Sequence, residues 1–183
     1  MLTIGITGTI GAGKGTVVDY LVSQKGFKHY SVSGYLTREL LKQKRATDRN
    51  DMREIANEIR TKFDPDYITK ILFEEAKKER GNAIIESIRN PKEAGFIKNH
   101  GGFLFAVDAD QRSRYERICS RGSGKDNVTF EEFKKQEELE SKTTDPNVQN
   151  LPKCILMADY KFDNNGSIQD LYDNVEKVIK KID

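Results

Sequence analysis

The chain has 183 residues, which predicts one domain with a core large enough to fold without disulfides or metals. Charged residues make up 33% of it, but 31 basic and 29 acidic side chains leave a net charge of only +2, which does not indicate a strongly basic nucleic-acid-coating protein. Nine Phe and seven Tyr among regularly spaced aliphatic residues disfavour a disordered chain, and two cysteines outside any paired CxxC disfavour a disulfide framework or zinc site. No apolar run approaches the roughly 20 residues of a membrane span, so we expect a soluble cytoplasmic protein.

The first half of the chain alternates predicted strands and helices. Short apolar runs predict strands, and apolar residues three to four positions apart predict helices. Asp64 and Pro65 are typical of an N-cap and a first helical residue, so a helix is predicted to begin there. The predicted elements are a strand over 2–7, a helix over 14–24, a strand over 27–32, helices around 35–41 and 46–62, and a helix from Asp64 that ends before Gly81.

The second half repeats this alternation. Asn90, Pro91 and Glu93 form a predicted capping box, and Thr129 with Glu132 predicts another before a very polar helix within the stretch 121–150, which we expect to be an insert. The remaining predicted elements are strands over 83–88, 103–107 and 160–162, a helix after Asp110 with Cys119 in the core, and a terminal helix capped by Ser167. Continuous apolar strands separated by helices predict a parallel sheet that is covered on both faces.

A glycine-rich run follows the first strand directly and opens the first helix. Glycines let backbone N–H groups turn toward an anion, and a lysine at the end of the run adds charge next to the β- and γ-phosphates of a nucleotide. A glycine-rich turn without a ligand is the alternative interpretation. The candidate nucleotide-binding residues are Gly8, Gly11, Ala12, Gly13, Lys14, Gly15 and Thr16.

Two parts of this run resemble known kinase families. Lys14-Gly15-Thr16 has Gly15 where a Ser or Thr usually ligates Mg²⁺, and in this it resembles adenylate kinase and the other nucleoside monophosphate kinases. The longer run 4–14 resembles the opening of dephospho-coenzyme A kinases. The resemblance implies a P-loop NTPase, a three-layer α/β/α sandwich with a five-stranded parallel sheet, and a need for ATP and Mg²⁺. It also implies a single kinase domain with a core over 1–32, 81–120 and 151–183, a helical acceptor-binding region over 33–80 and a lid over 121–145.

Phosphoryl transfer depends on positioning and on positive charge around the transferring group, so arginines from separate segments are candidate catalytic residues beside Lys14. The run from Ser33 to Arg38 resembles the segment of monophosphate kinases whose arginine grips the acceptor phosphate. Arg89 ends a strand and resembles a second acceptor arginine. Arg117 and Arg121 resemble arginines that reach the donor phosphates when a lid closes, and Arg114 on the same face is a weaker candidate. The alternative for each is a solvated surface arginine.

Three further positions complete the predicted site. Asn165 and Gly166 stand in a turn that resembles the segment beside the donor adenine in dephospho-coenzyme A kinases. The resemblance also implies that Mg²⁺ is held largely through water, with Thr16 and Glu86 as the candidate partners. Glu86 stands where the family more often has Asp, and a purely structural role is nearly as well supported.

The chemical class of the acceptor is predicted from the segment after the second strand, where one of the two resembling families has an acidic residue. Dephospho-coenzyme A kinases carry an Asp after the second strand that activates a hydroxyl, and the segment 30–33, Tyr-Ser-Val-Ser, has none. An ionised phosphate needs no such base, so we expect a nucleoside or deoxynucleoside monophosphate as the small-molecule acceptor. The alternatives are a dephospho-coenzyme A kinase and, from another class, a nucleotide-dependent switch or slow NTPase. Neither a membrane nor a nucleic acid is an expected partner, and no oligomeric state is predicted.

Overall fold

A five-stranded parallel sheet separates two layers of helices, in a computed structural model that describes residues 1–120, 128–141, 145 and 147–182. The strands are β1 (Thr3–Gly8), β2 (Lys28–Ser31), β3 (Ala83–Glu86), β4 (Phe103–Asp108) and β5 (Tyr160–Asp163). Their order is β2-β3-β1-β4-β5, and each pairing is parallel. The carboxyl ends of all five strands therefore lie at one edge of the sheet.

The helices connect these strands, as a parallel sheet requires. They are α1 (Lys14–Lys25), α2 (Val32–Lys42), α3 (Arg49–Lys62), α4 (Tyr67–Glu79), α5 (Pro91–Asn99), α6 (Gln111–Ser120), α7 (Phe130–Ser141), α8 (Leu151–Met157) and α9 (Ile168–Ile182). Among the described residues, none of these helices is long and apolar enough to cross a membrane.

Each face of the sheet has its own core. Helices α2 to α5 bury their apolar residues against one face, and α1 and α9 bury theirs against the other. The alternation along β4 shows this directly, because Leu104 belongs to the first core and Phe105 to the second, both with no exposed surface. This arrangement confirms the predicted three-layer α/β/α sandwich with five parallel strands.

Both predicted capping boxes are present. The Asn90 side chain accepts from the backbone N–H of Lys92, and the Glu93 carboxylate accepts from the N–H of Asn90 at 3.0 Å. Glu132 and Thr129 bond reciprocally at the start of α7. The polar insert therefore contains a helix, whereas 121–127, 142–144 and 146 lie outside the described residues.

Two local expectations are wrong, and one helix was missed. α4 begins at Tyr67, three residues after Asp64, because the Tyr67 N–H donates to the Asp64 carbonyl at 3.0 Å and closes a turn before the helix. Cys119 is exposed and not in the core, because it follows Ile118, which α6 buries, and so points away from the sheet. The short helix α8 was not predicted, although Asn150 caps it and Pro152 stands in its first turn.

We expect the core to tolerate truncation at Leu104 far worse than truncation on the surface. Leu104→Ala removes fully buried methyl groups and should lower the free energy of unfolding by about 2–5 kcal/mol. Leu156→Ala makes the same change on α8 where the side chain is 75% exposed, and should stay within about 0.5 kcal/mol of the parent. Urea denaturation measures both, and equal losses would contradict the assigned register of β4.

Candidate active site

The glycine-rich loop joins the end of β1 to the start of α1 at the carboxyl edge of the sheet. Gly11 and Gly13 have φ values of +76° and +96°, which a residue with a Cβ atom rarely adopts. A Cβ atom at Gly13 would also lie 2.2 Å from Nδ2 of Asn164. Lys14 Nζ donates to the carbonyls of Gly8 at 2.9 Å and Thr9 at 2.7 Å, so the lysine folds back over the loop. The loop thus has the geometry of a phosphate cradle at a helix N-terminus.

Asn164 supports this loop from the turn after β5. It is 7% exposed, and its Nδ2 donates to the Ala12 carbonyl at 2.8 Å. Its own carbonyl accepts from Arg117 Nη2 at 2.7 Å, and its N–H donates to the Asp108 carbonyl at 2.8 Å. Arg117 is therefore linked to the loop through Asn164, and its predicted contact with the donor phosphates stays a prediction. Sequence reasoning selected the neighbouring Asn165 and missed Asn164, although the Asn-Asn-Gly run pointed to this turn.

Arg114 supports the loop from the other side. Its side chain is nearly buried, and it donates to the carbonyls of Ile10 at 3.2 Å and Ala109 at 2.8 Å. The same guanidinium forms an ion pair with Glu137 of α7. The weakest of the three predicted lid arginines is thus the one that ties α7 to the loop, and Arg121 lies outside the described residues.

The predicted adenine-side residues lie in the turn between β5 and α9. Asn165 Oδ1 accepts from the backbone N–H of Asp110 at 2.8 Å, which joins this turn to the start of α6. Gly166 is close to Asp170, where a Cβ atom would lie 2.9 Å from the carboxylate. Both residues are exposed and stand at the same edge of the sheet as the phosphate loop.

Glu86 is the last residue of β3, at the carboxyl edge of the sheet. A hydrogen bond of 3.1 Å joins its carboxylate to His29 Nε2. Burial raises the pKa of the Glu86 carboxyl. The hydrogen bond with His29 and the charges of Lys14 and Arg89 together outweigh burial and lower the pKa below its ordinary value, so the carboxylate is ionised at neutral pH.

These groups fit a magnesium ion that is held mainly by water and phosphate. The Glu86 carboxylate and the Thr16 hydroxyl are hard oxygen donors of the kind that Mg²⁺ prefers. Among the described residues, no group of three or more His, Cys, Asp or Glu side chains could enclose a metal ion. One or two protein oxygens with substrate phosphates and water is the usual arrangement for Mg²⁺ in phosphoryl-transfer sites.

A cavity of about 190 Å³ opens next to the loop, between α2, α3 and the turn after β3. Ile10 of the loop forms part of its wall, so the cavity adjoins the place where a γ-phosphate would lie. Apolar side chains such as Leu36 and Met52 line one part of it. The charged residues that line it are Asp48, Arg49, Arg53, Arg60 and Arg89.

One of these arginines is neutralised. Arg60 and Glu93 are 3% and 1% exposed, and Arg60 donates to Glu93 Oε1 through Nε at 3.2 Å and Nη2 at 2.9 Å. The other oxygen, Oε2, accepts from the backbone N–H groups of Arg89 at 2.8 Å and Asn90 at 3.0 Å. The buried pair therefore fixes α3 to the turn that carries Arg89, and it adds no net charge to the cavity.

Three further arginines line the cavity, so the residues on its lining include more basic than acidic side chains. Asp48 is an acid on its lining, and its Oδ1 accepts from the backbone N–H groups at the start of α3. Arg53 donates to Asn50 Oδ1 at 3.1 Å and has no carboxylate partner among the described residues. Arg38, the predicted acceptor arginine, is exposed, lies over the Tyr35 ring and does not line this cavity. Arg49 and Arg53 were missed, although their i, i+4 spacing after an N-cap Asp placed them on one helical face.

Sequence comparison assigns the chain to a family. A profile of the AAA domain family matches residues 4–143, which include the phosphate loop and all of the cavity lining except Gln149. The chain is 30% identical over 182 residues to a UPF0200 protein of Sulfurisphaera tokodaii, covering 98% of this chain and 96% of that protein. It is 27% identical over 178 residues to a UPF0200 protein of Staphylothermus marinus, covering 97% and 90%. The chain therefore belongs to the AAA domain family and to the UPF0200 family.

Solved structures show the same fold. TT1252 from Thermus thermophilus superposes with a TM-score of 0.67 at 21% identity, covering 100% of this chain and 98% of that one. Shikimate kinase from Aquifex aeolicus superposes with a TM-score of 0.60 at 16% identity, covering 98% of this chain and 97% of that one. A gluconokinase from Sinorhizobium meliloti gives 0.56 at 10% identity, covering 99% and 93%. At these identities the likeness shows a kinase-like P-loop fold and says nothing about the substrate.

Two glycines of the loop should respond oppositely to the same substitution. Gly13→Ala forces a positive φ on alanine and displaces Asn164 from Ala12, so the free energy of unfolding should fall by more than about 1 kcal/mol. Gly15→Ala meets no atom within 4 Å in the first turn of α1, and should raise stability by up to about 1 kcal/mol. Urea denaturation separates the two, and a Gly13→Ala protein as stable as Gly15→Ala would contradict the loop geometry.

Proposed function

We propose that the protein is a kinase that transfers the γ-phosphate of ATP to a nucleoside or deoxynucleoside monophosphate. The observation that carries this proposal is the cationic cavity against the phosphate loop, with Arg49, Arg53 and Arg89 on its lining. Such a cavity favours an acceptor that carries a phosphate. The solved structures named as kinases share the fold, which supports small-molecule phosphoryl transfer as the reaction class.

The donor side follows from the loop. Backbone N–H groups of the loop and the N-terminus of α1 would bind the nucleotide phosphates, and Lys14 would leave the loop carbonyls to contact them. Mg²⁺, when bound, would neutralise phosphate charge, with Thr16 and Glu86 holding it through water. Arg117 and Asn164 would keep the loop in its binding conformation.

The acceptor side distinguishes a phosphate from a hydroxyl. A hydroxyl acceptor needs a carboxylate that can take its proton. The Asp48 carboxylate in the cavity already accepts two backbone N–H groups, and Glu93 is bound by Arg60. A monophosphate has its second pKa near about 6 and is ionised at neutral pH, so it needs no base. This favours a monophosphate over dephospho-coenzyme A.

The proposal is tested by ADP release from Mg-ATP in the presence of a panel of ribonucleoside and deoxynucleoside monophosphates and dephospho-coenzyme A. We expect a strong response to a monophosphate. A response to dephospho-coenzyme A alone would show that the argument from the missing base is wrong, and slow release unchanged by any acceptor would favour a nucleotide-dependent switch or NTPase. Lys14→Ala should lower the stimulated rate by at least about 100-fold, since it removes a charge from the transferring phosphate.

Arg53 should matter for the acceptor and not for ATP. Arg53→Ala removes a cavity cation without a carboxylate partner, and should raise the acceptor KM about 10- to 100-fold while the KM for ATP stays unchanged. Arg112→Ala, which removes an exposed arginine of α6 paired with Glu116, is the matched control and should change neither constant. An Arg53→Ala enzyme with an unchanged acceptor KM would contradict the assignment of this cavity.

A further inference from the structure

Gln149 is a buried amide on the lining of the acceptor cavity. Only 5% of its surface is exposed, and it faces the cavity that the arginines line. No hydrogen bond joins its side chain to any other residue that the structure describes. Its amide atoms keep access to the cavity and have no protein partner there in the described part of the chain, so they are placed to bond to a ligand that enters it.

The backbone around Gln149 is held in place from both sides. The carbonyl of Val148 accepts from Asn90 Nδ2 at 2.9 Å, and the N–H of Asn150 donates to the Arg89 carbonyl at 2.8 Å. Both bonds go to the turn that Glu93 fixes to Arg60. The backbone around Gln149 is thus anchored to the segment that carries Arg89, and both residues line the same cavity.

This position determines which part of the acceptor Gln149 meets. Arg89 lies three residues after the end of β3 and lines the cavity together with Ile10 of the phosphate loop, so in the proposed reaction the acceptor phosphate lies there to receive the γ-phosphate. The amide Nε2 carries two N–H donors, which suit a phosphate oxygen. Hydrogen bonds to a charged group are also stronger than those to neutral ones.

We propose that Gln149 is a specificity-determining residue whose Nε2 donates to the phosphate of the acceptor monophosphate. The inference rests on the proposed kinase function and names a contact that the arginines do not provide. A phosphate is common to all nucleoside monophosphates, so Gln149 selects for the phosphate and not for a particular base.

The test replaces the donor by an isosteric acceptor. Gln149→Glu exchanges the NH₂ group for a carboxylate oxygen that repels the acceptor phosphate. We measure kcat/KM with AMP, GMP, CMP, UMP and dTMP, the KM for ATP, and the affinity for each monophosphate by calorimetry without ATP. For every monophosphate that the parent accepts, kcat/KM and affinity should fall by the same factor, about 10- to 100-fold, and the KM for ATP should stay unchanged.

Two further variants guard against indirect effects. Gln24→Glu makes the same charge change on the exposed surface of α1 and should leave all constants unchanged. Gln149→Met removes the donor without adding charge, so it tests the contact if Gln149→Glu folds poorly. It should lower kcat/KM by about 10-fold for each base.

The outcomes separate this inference from the proposed function. An active parent with unchanged Gln149 variants overturns the inference alone, and so does a loss that differs from base to base, which would make Gln149 a base-reading residue. A parent that neither binds nor phosphorylates any of these five or any other nucleoside or deoxynucleoside monophosphate of the earlier panel overturns both. A uniform loss in acceptor binding and turnover supports both.

Discussion

The position of β1 in the middle of the sheet is the constraint on which the site depends. β1 is buried along its whole length and is hydrogen-bonded to β3 on one side and β4 on the other. The chain that follows β1 therefore emerges in the middle of the carboxyl edge, between the ends of two other strands. The loop that follows must turn at once into α1, and its backbone N–H groups have no strand partner there. The backbone N–H groups of the loop and the N-terminus of α1 therefore favour an anion at this edge even without any side-chain contribution.

The loop does not hold its shape alone. Asn164, from the last strand, and Arg114, from α6, both donate to loop carbonyls, so residues more than 100 positions away in sequence fix its conformation. Arg114 also binds Glu137 of α7, and Arg117 binds Asn164. Arg114 therefore connects α7 to the phosphate loop, and Asn164 connects the final turn to it, each through polar contacts.

The cavity beside the phosphate loop has a buried ion pair, Arg60 and Glu93, at its wall. Burying an ion pair such as Arg60–Glu93 removes both groups from water, and such pairs often add little net stability. Here the pair fixes α3 relative to the turn after β3, because Glu93 accepts from the backbone N–H of Arg89 and also from the side chain of Arg60, which belongs to α3. Arg49, Arg53 and Arg89 line the same cavity. The neutral amide of Gln149 lies among them and adds a directional donor.

The sequence by itself determined the parallel sheet and the glycine-rich loop between β1 and α1, because local apolar runs and glycine spacing indicate these features directly. The predicted start of α4 and the predicted burial of Cys119 were wrong. A single turn before α4 moves its first residue, and a shift of one position along α6 moves a side chain from the buried face to the exposed face. Only the tertiary structure decided which arginines share a cavity. Arg38 has the expected spacing yet lies outside it, whereas Arg53 and Gln149 come together from segments almost 100 residues apart because α3 and the turn after β3 are joined through Glu93. A sequence shows where each charged residue stands along the chain. Which charged residues pair with each other, as Arg60 and Glu93 do, and which line one cavity is decided only by the fold.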